Sequence, residues 1–198
     1  SKAMVTSADA DKDGLLSKPE LEALLAAISA APYLRGGPVW DDHTLIFERL
    51  VELDFAGIAA LWRWPIGGEV GSGYYRPVAL TVMALVGKLG VMPLHGVTLA
   101  AHTASAAMLE RMLRPAPAAA WAAALFAVHP LTSEVLGWSS AVPDALAVCM
   151  GLAGVLAVRK SLWLAAGLTL LALLSKESAV LLMPFAVLAG RADRRGLL

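Results

Sequence analysis

Long apolar runs, each ended by a short polar cluster, fill the second half of the chain. The sharpest break lies within Phe126–Asp144, FAVHPLTSEVLGWSSAVPD, where one apolar run ends at His129-Pro130 and another begins after Asp144. Hydrophobic residues make up 58% of the sequence and charged residues 16%, whereas a soluble domain is about half apolar and a quarter charged. The excess predicts an all-α, multi-pass membrane protein.

Basic residues in the connections between apolar runs predict how such a protein would be oriented. Lys and Arg in short loops mark the cytoplasmic side, and here they are Arg111, Arg114, Arg159, Lys160, Arg191, Arg194 and Arg195. We expect five spans, at 93–113, 117–129, 143–158, 161–174 and 177–190. All basic connections then share one face, and the clusters WDDH, YYRP, HPLTSE, PD and SKE share the other. This arrangement requires 78–92, which contains Lys88, to be a helix that does not cross.

Three regions are expected along the chain. Residues 1–31 form an acidic loop and a short helix, residues 32–77 an external loop with amphipathic interfacial helices, and residues 78–198 the transmembrane region. Because the sequence begins at Ser1 and ends just after a basic cluster, we expect it to be a fragment of a longer protein. A net charge of zero gives no electrostatic reason to expect nucleic acid as a partner.

The first region contains an EF-hand-like loop at residues 9–20, DADKDGLLSKPE. Such a loop binds Ca²⁺ through oxygen atoms at alternate positions and a bidentate Glu at its twelfth, with Gly at the sixth for the turn. Gly14 occupies the sixth position, and the predicted calcium ligands are Asp9, Asp11, Asp13, Leu15 (through its carbonyl), Ser17 and Glu20. The alternative is an acidic, solvated linker without a bound ion.

The order of the polar motifs resembles that of the GT-C membrane glycosyltransferases. Those motifs are Trp40-Asp41-Asp42, Tyr75-Arg76-Pro77, the HP-x-x-x-E pattern of His129 and Glu134, the later Asp144, and Ser175-Lys176-Glu177. Within that family, the motif order resembles that of the O-mannosyltransferases with transmembrane and tetratricopeptide-repeat parts, and of their bacterial homologues. The resemblance extends roughly from Pro38 to Leu188. Thr132 stands where that family commonly has a second histidine, and Val142-Pro143 stands where it has an arginine.

The resemblance implies transfer of a hexose, such as mannose, from a polyprenyl- or dolichyl-phosphate donor to a protein or glycan acceptor. It places the active face outside the cytoplasm, in the bacterial periplasm or, alternatively, in the lumen of the endoplasmic reticulum. Asp41 or Asp42 would be the general base or help to hold a divalent metal. His129 and Glu134 would complete the catalytic set, with Lys176 and Glu177 at the donor site.

The residue types themselves suit this reaction. A base must lie near the incoming hydroxyl, and cationic groups must surround the leaving phosphate, where charge develops. Asp41 or Asp42 supplies the first, while Arg76, Lys176 and His129 supply the second, with Arg favoured for bidentate phosphate contact.

Simpler interpretations accompany each motif. Asp41-Asp42 is also typical of a helix cap, His129-Pro130 of a helix end, and Lys176-Glu177 of an ion pair between helices. Two other functions fit parts of the sequence. One is a membrane-anchored EF-hand protein without catalysis, and the other is a transporter or scaffold with an intramembrane ion path.

Overall fold

Helices form every regular element in residues 24–25, 31–32, 36–63, 74–114 and 116–194, the parts of the chain that the computed structural model describes. This confirms the all-α prediction. A π-helix comes first, at His43–Leu50, and two short 3-10 segments lie at Ser139–Ala141 and Glu177–Leu182. The α-helices are α1 Phe55–Ala60, α2 Pro77–Gly87, α3 Val91–Leu113, α4 Ala119–Val128, α5 Pro130–Gly137, α6 Val142–Ala157, α7 Leu162–Ser175 and α8 Met183–Arg194.

Each of the five predicted spans coincides with helical structure, but these helices differ in whether they are long and apolar enough to cross a membrane. The continuous helical segment Ser139–Ala157, with 19 residues and a mean hydropathy of 1.7, is long and apolar enough to cross a membrane. Helices α4 and α5 meet that test together, with a bend of 49° between them. Three other apolar segments are shorter, at Pro77–Gly87, Leu162–Ser175 and Glu177–Leu188. Crossing by all five segments stays a prediction.

The bend between α4 and α5 corrects one expectation from the sequence. The segment after His129 was expected to be a polar connection, but it continues as helix α5. Pro130 occupies the first turn, where its missing N–H costs nothing, and the His129 ring nitrogen Nδ1 accepts from the N–H of Leu131 at 3.2 Å. The hydroxyl of Thr132 donates to the His129 carbonyl at 2.6 Å. His129 therefore lies at the break between helices α4 and α5.

Helix α6 packs closely against its neighbours because it presents glycines to them. A Cβ atom added at Gly151 would overlap the Leu182 side chain. One added at Gly154 would lie 2.9 Å from the Thr169 hydroxyl and 3.4 Å from the Ala165 carbonyl. Small residues let helix backbones approach one another. This packing positions the first turn of α6 beside the end of α7.

The π-helix and α1 attach to α2 through polar and apolar contacts. The Lys88 ammonium donates to the carbonyls of Val51 and Leu53, at 2.6 and 3.0 Å. The Trp62 indole N–H donates to the Thr81 hydroxyl at 3.0 Å. Beneath these contacts lies an apolar cluster that includes Ile46, Leu50, Leu80, Met83, Leu94 and Val142. Lys88 thus joins the end of α2 to the segment between the π-helix and α1. That this helix does not cross a membrane stays a prediction.

Candidate functional site

Polar side chains from four separate segments meet at one end of the helix bundle. Arg76, just before α2, contacts Glu177, and Asp144, in the first turn of α6, contacts Lys176, just after α7. The starts of α2 and α6 therefore lie beside the end of α7. The loop with Asp41 and Asp42 reaches the same end through contacts to residues 138–140. We call this surface, defined by Asp41, Arg76, Asp144, Lys176 and Glu177, the polar end.

Asp42 is fully buried and holds its loop against the start of the α6 segment. Its Oδ1 accepts from both the N–H and the hydroxyl of Ser140, each at 2.7 Å. Its Oδ2 accepts from the N–H groups of Val39 and Ser139, at 3.1 and 3.2 Å. The side chain has 0% exposure, so a carboxylate with four donors is enclosed by the protein. Hydrogen bonds to a charged group are strong. Asp42 therefore fixes its own loop at Val39 to the backbone of Ser139 and Ser140.

Asp41 differs from its neighbour because it is exposed. The Trp138 indole N–H donates to its Oδ1 at 2.9 Å, and the residue faces solvent. The ring of Trp138 also contacts that of Trp40 edge to face, with centroids 5.3 Å apart and planes at 77°. One indole therefore orients both the exposed carboxylate and a second aromatic side chain.

Lys176 pairs with Asp144, the acidic residue in the first turn of α6. Its ammonium lies 2.5 Å from Oδ1 and 2.6 Å from Oδ2. The Lys176 side chain is 23% exposed and that of Asp144 37%. The lysine is therefore half-buried and can be reached from outside the bundle.

Arg76 makes the second ion pair of the polar end. Its Nε donates to Glu177 Oε2 at 2.9 Å and its NH2 group to Oε1 at 2.5 Å, in a fork. The guanidinium also lies over the Tyr74 ring, 4.3 Å from its centroid. Glu177 itself is mostly exposed, with 61% of its side chain accessible.

The consecutive residues Lys176 and Glu177 connect these two pairs. Lys176 has an extended backbone, with φ −157° and ψ 135°, between the end of α7 and the following 3-10 segment. From this junction the two side chains reach the starts of two different helices, at Asp144 and Arg76. The sequence motif Ser-Lys-Glu therefore corresponds to a junction that joins α2, α6 and α7.

His129 and Glu134 lie beside this arrangement and are not joined to it. Both residues are exposed, and within the described residues no hydrogen bond or ion pair connects them to the acidic pair or to Lys176. Helix α5, which carries Glu134, packs against the Ser139–Ala141 segment. The predicted roles of His129 and Glu134 stay predictions.

Two contributors, Trp138 and Ser140, were missing from the sequence-predicted site, and Asp144 was part of the motif order but had no assigned role. Each is a polar or amphipathic residue in the short interval between two apolar runs. That interval was recognised as the main polar break, but spacing along the chain does not show which residues contact Asp41, Asp42 or Lys176. The partners are 97, 98 and 32 residues apart in sequence.

Metal binding has no structural support in the described residues. No group of three or more His, Cys, Asp or Glu side chains gathers there that could hold an ion. At the acidic pair, the Asp42 oxygens do not suit a metal because four N–H and O–H groups already donate to them. The predicted calcium loop at residues 9–20 lies outside the described residues and stays a prediction.

Comparison of the chain with protein-family models, with curated proteins and with solved structures finds no match. The resemblance to the GT-C glycosyltransferases stays a prediction. It depends on the order of the motifs around Asp41, His129 and Lys176 and on their placement in the chain.

Proposed function

We propose that the chain is a membrane glycosyltransferase, or part of one, that uses a polyprenyl- or dolichyl-phosphate sugar as donor. The acceptor is a hydroxyl group of a protein or glycan on the non-cytoplasmic face. The observation that carries this proposal is the polar end itself. An exposed, oriented carboxylate at Asp41 shares it with two cations, Lys176 and Arg76, at the end of an apolar helix bundle.

Asp41 is the general base in this proposal. A base must reach the proton that it removes, and Asp41 is exposed while Asp42 is enclosed. The bond from Trp138 fixes the Asp41 carboxylate in place. Asp42 is then a positioning residue, since it holds the Val39–Asp42 turn against Ser139 and Ser140.

Lys176 and Arg76 receive the donor phosphate. Negative charge increases on the phosphate as its bond to the sugar breaks, and preorganised cations stabilise that charge. Glu177 does not bind phosphate directly in this proposal, because its carboxylate would repel it. Instead, its forked contact with Arg76 holds the guanidinium at the polar end. Asp144 holds the Lys176 ammonium in the same manner.

The proposed step is a single displacement at the anomeric carbon. The acceptor hydroxyl loses its proton to the Asp41 carboxylate, and its oxygen forms the new bond to the sugar. The bond from the anomeric carbon to the phosphate oxygen breaks, and the lipid phosphate leaves with that electron pair. Lys176 and Arg76 stabilise the leaving group, and Asp41 afterwards releases its proton to water.

Replacement of the base tests this proposal. The Asp41→Asn variant keeps the size of the side chain and an oxygen for Trp138 but cannot accept the proton. We expect transfer of labelled mannose from polyprenyl-phosphate mannose, by the chain in nanodiscs, to fall about 10²-fold or more. Asp54→Asn is the matched control, because Asp54 is an exposed aspartate that caps α1 through the Gly57 N–H. Equal transfer by wild type and Asp41→Asn, with normal expression, would refute the assignment.

A further inference from the structure

Trp40 has a backbone conformation that bulky residues rarely adopt. Its φ is +48°, and it is the sole non-glycine residue with positive φ in the described part of the chain. Such a conformation costs roughly 1–2 kcal/mol for an L-residue, and glycine would adopt it without that cost. The turn is held by Asp42, whose N–H donates to the Val39 carbonyl at 3.0 Å while its Oδ2 accepts from the Val39 N–H at 3.1 Å.

The strain does not serve to bury the indole. Trp40 remains 74% exposed, although its ring contacts that of Trp138 at an interplanar angle of 77°. Large aromatic side chains add most to folding stability when they are buried. A strained and exposed tryptophan beside a proposed catalytic carboxylate indicates a functional constraint, because strain of this kind concentrates at functional sites.

We propose that Trp40 is a stacking platform for a pyranose ring of the acceptor, and that Asp41 accepts a hydrogen bond from a hydroxyl of the same ring. This inference rests on the proposed function, because it names the acceptor class of that site as a glycan. One face of a pyranose presents C–H groups, which suit the electron-rich face of an indole. Its rim presents hydroxyl donors, which suit a carboxylate that accepts hydrogen bonds only.

The position of Trp138 explains why the Trp40 ring and the Asp41 carboxylate act together in this proposal. It donates to Asp41 Oδ1 at 2.9 Å and contacts the Trp40 ring at a centroid distance of 5.3 Å. A sugar ring on Trp40 therefore has its hydroxyls next to a carboxylate whose direction is already set. Holding a hydroxyl at the base lowers the entropy cost of the transfer step.

Ligand-observed saturation-transfer NMR on the chain in nanodiscs tests the subsite without the donor lipid. The probe is methyl α-D-mannopyranoside, and we expect saturation of its ring protons by the wild type. Trp40→Gly should fold, because glycine suits the φ of +48°, but should lose the signal by about fivefold or more, the scale of one aromatic contact. Trp40→Tyr should retain most of it.

The control is Trp163→Leu, because Trp163 is also an exposed tryptophan, at 89%, and lies at the opposite end of α7 from Lys176. This variant should saturate the pyranoside as the wild type does. If Trp40→Gly keeps the wild-type signal within twofold, or if the wild type saturates no pyranoside, the subsite is refuted. Binding through Trp40 without any sugar transfer would leave the subsite intact and refute the proposed function.

A kinetic measurement separates the acceptor ring from the sugar of the donor. With the acceptor ring on Trp40, Trp40→Gly raises the KM for the pyranoside acceptor more than the KM for polyprenyl-phosphate mannose. An equal or larger rise in the donor KM would show that Trp40 holds the donor sugar instead, and would overturn the acceptor assignment.

Discussion

The buried carboxylate of Asp42 offers the sharpest test of how the polar end is built. In Asp42→Asn, one oxygen of the side chain becomes an NH2 group. The remaining oxygen can accept from Ser140, and the new NH2 then faces the N–H groups of Val39 and Ser139. Two donors lose their acceptor. The Ser139 N–H is buried, and an unpaired buried donor costs about 1–3 kcal/mol, whereas Val39 is an exposed residue and its N–H can find water. We therefore expect the free energy of unfolding to fall by about 1–3 kcal/mol.

Thermal unfolding of the purified variants, with tryptophan fluorescence as readout, measures this loss. Asp54→Asn again is the control, because asparagine caps a helix about as well as aspartate and its effect should be within about 0.5 kcal/mol. Equal midpoints for Asp42→Asn and Asp54→Asn would refute the anchoring role. If, in addition, Asp42→Asn retained its fold and lost transfer about 10²-fold, Asp42 would be the base in place of Asp41.

Three further outcomes are expected. Lys176→Ala should raise the KM for polyprenyl-phosphate mannose about tenfold, the effect of one charged contact, whereas Asp144→Asn should raise it less, because the amide oxygen can still accept from the Lys176 ammonium; equal losses would refute the phosphate role of Lys176. Single cysteines at His43 and Lys160, in a cysteine-free background, should react with an impermeant maleimide from opposite sides, and labelling from one side would refute the five-span topology. Calorimetry on the chain should show Ca²⁺ binding with a dissociation constant of about 10⁻⁶ to 10⁻³ M that Glu20→Gln abolishes, and no heat at millimolar Ca²⁺ would count against the loop.

Much of the helical architecture could be predicted from the sequence because apolar runs and polar breaks are local features. The intervals around Val142–Ala157 and Leu162–Ser175 were placed nearly to the residue. The continuation of the chain as helix after His129 was missed, because the proline that ends one helix also suits the first turn of the next. Local patterns do not distinguish these two roles.

Only some members of the candidate site were predictable, and their contacts were not. The motifs identified the adjacent pairs Asp41-Asp42 and Lys176-Glu177, but they gave no role to Trp138 or Ser140. The structure separates both pairs. Asp42 is enclosed while Asp41 is exposed, and Lys176 and Glu177 contact two different helices. Burial and partner choice depend on tertiary packing, which neighbouring residue types do not encode.

Gly154 of α6 has a consequence far from its own position. It lies ten residues from Asp144, about 15 Å along the helix axis at 1.5 Å per residue. A Cβ atom there would lie 2.9 Å from the Thr169 hydroxyl and 3.4 Å from the Ala165 carbonyl of α7, so a methyl group would push α6 away from α7. The distance between Asp144 on α6 and Lys176 at the end of α7 would widen with it. If the chain transfers sugar as proposed, selection would therefore also act on Gly154, an interior position that never touches a substrate.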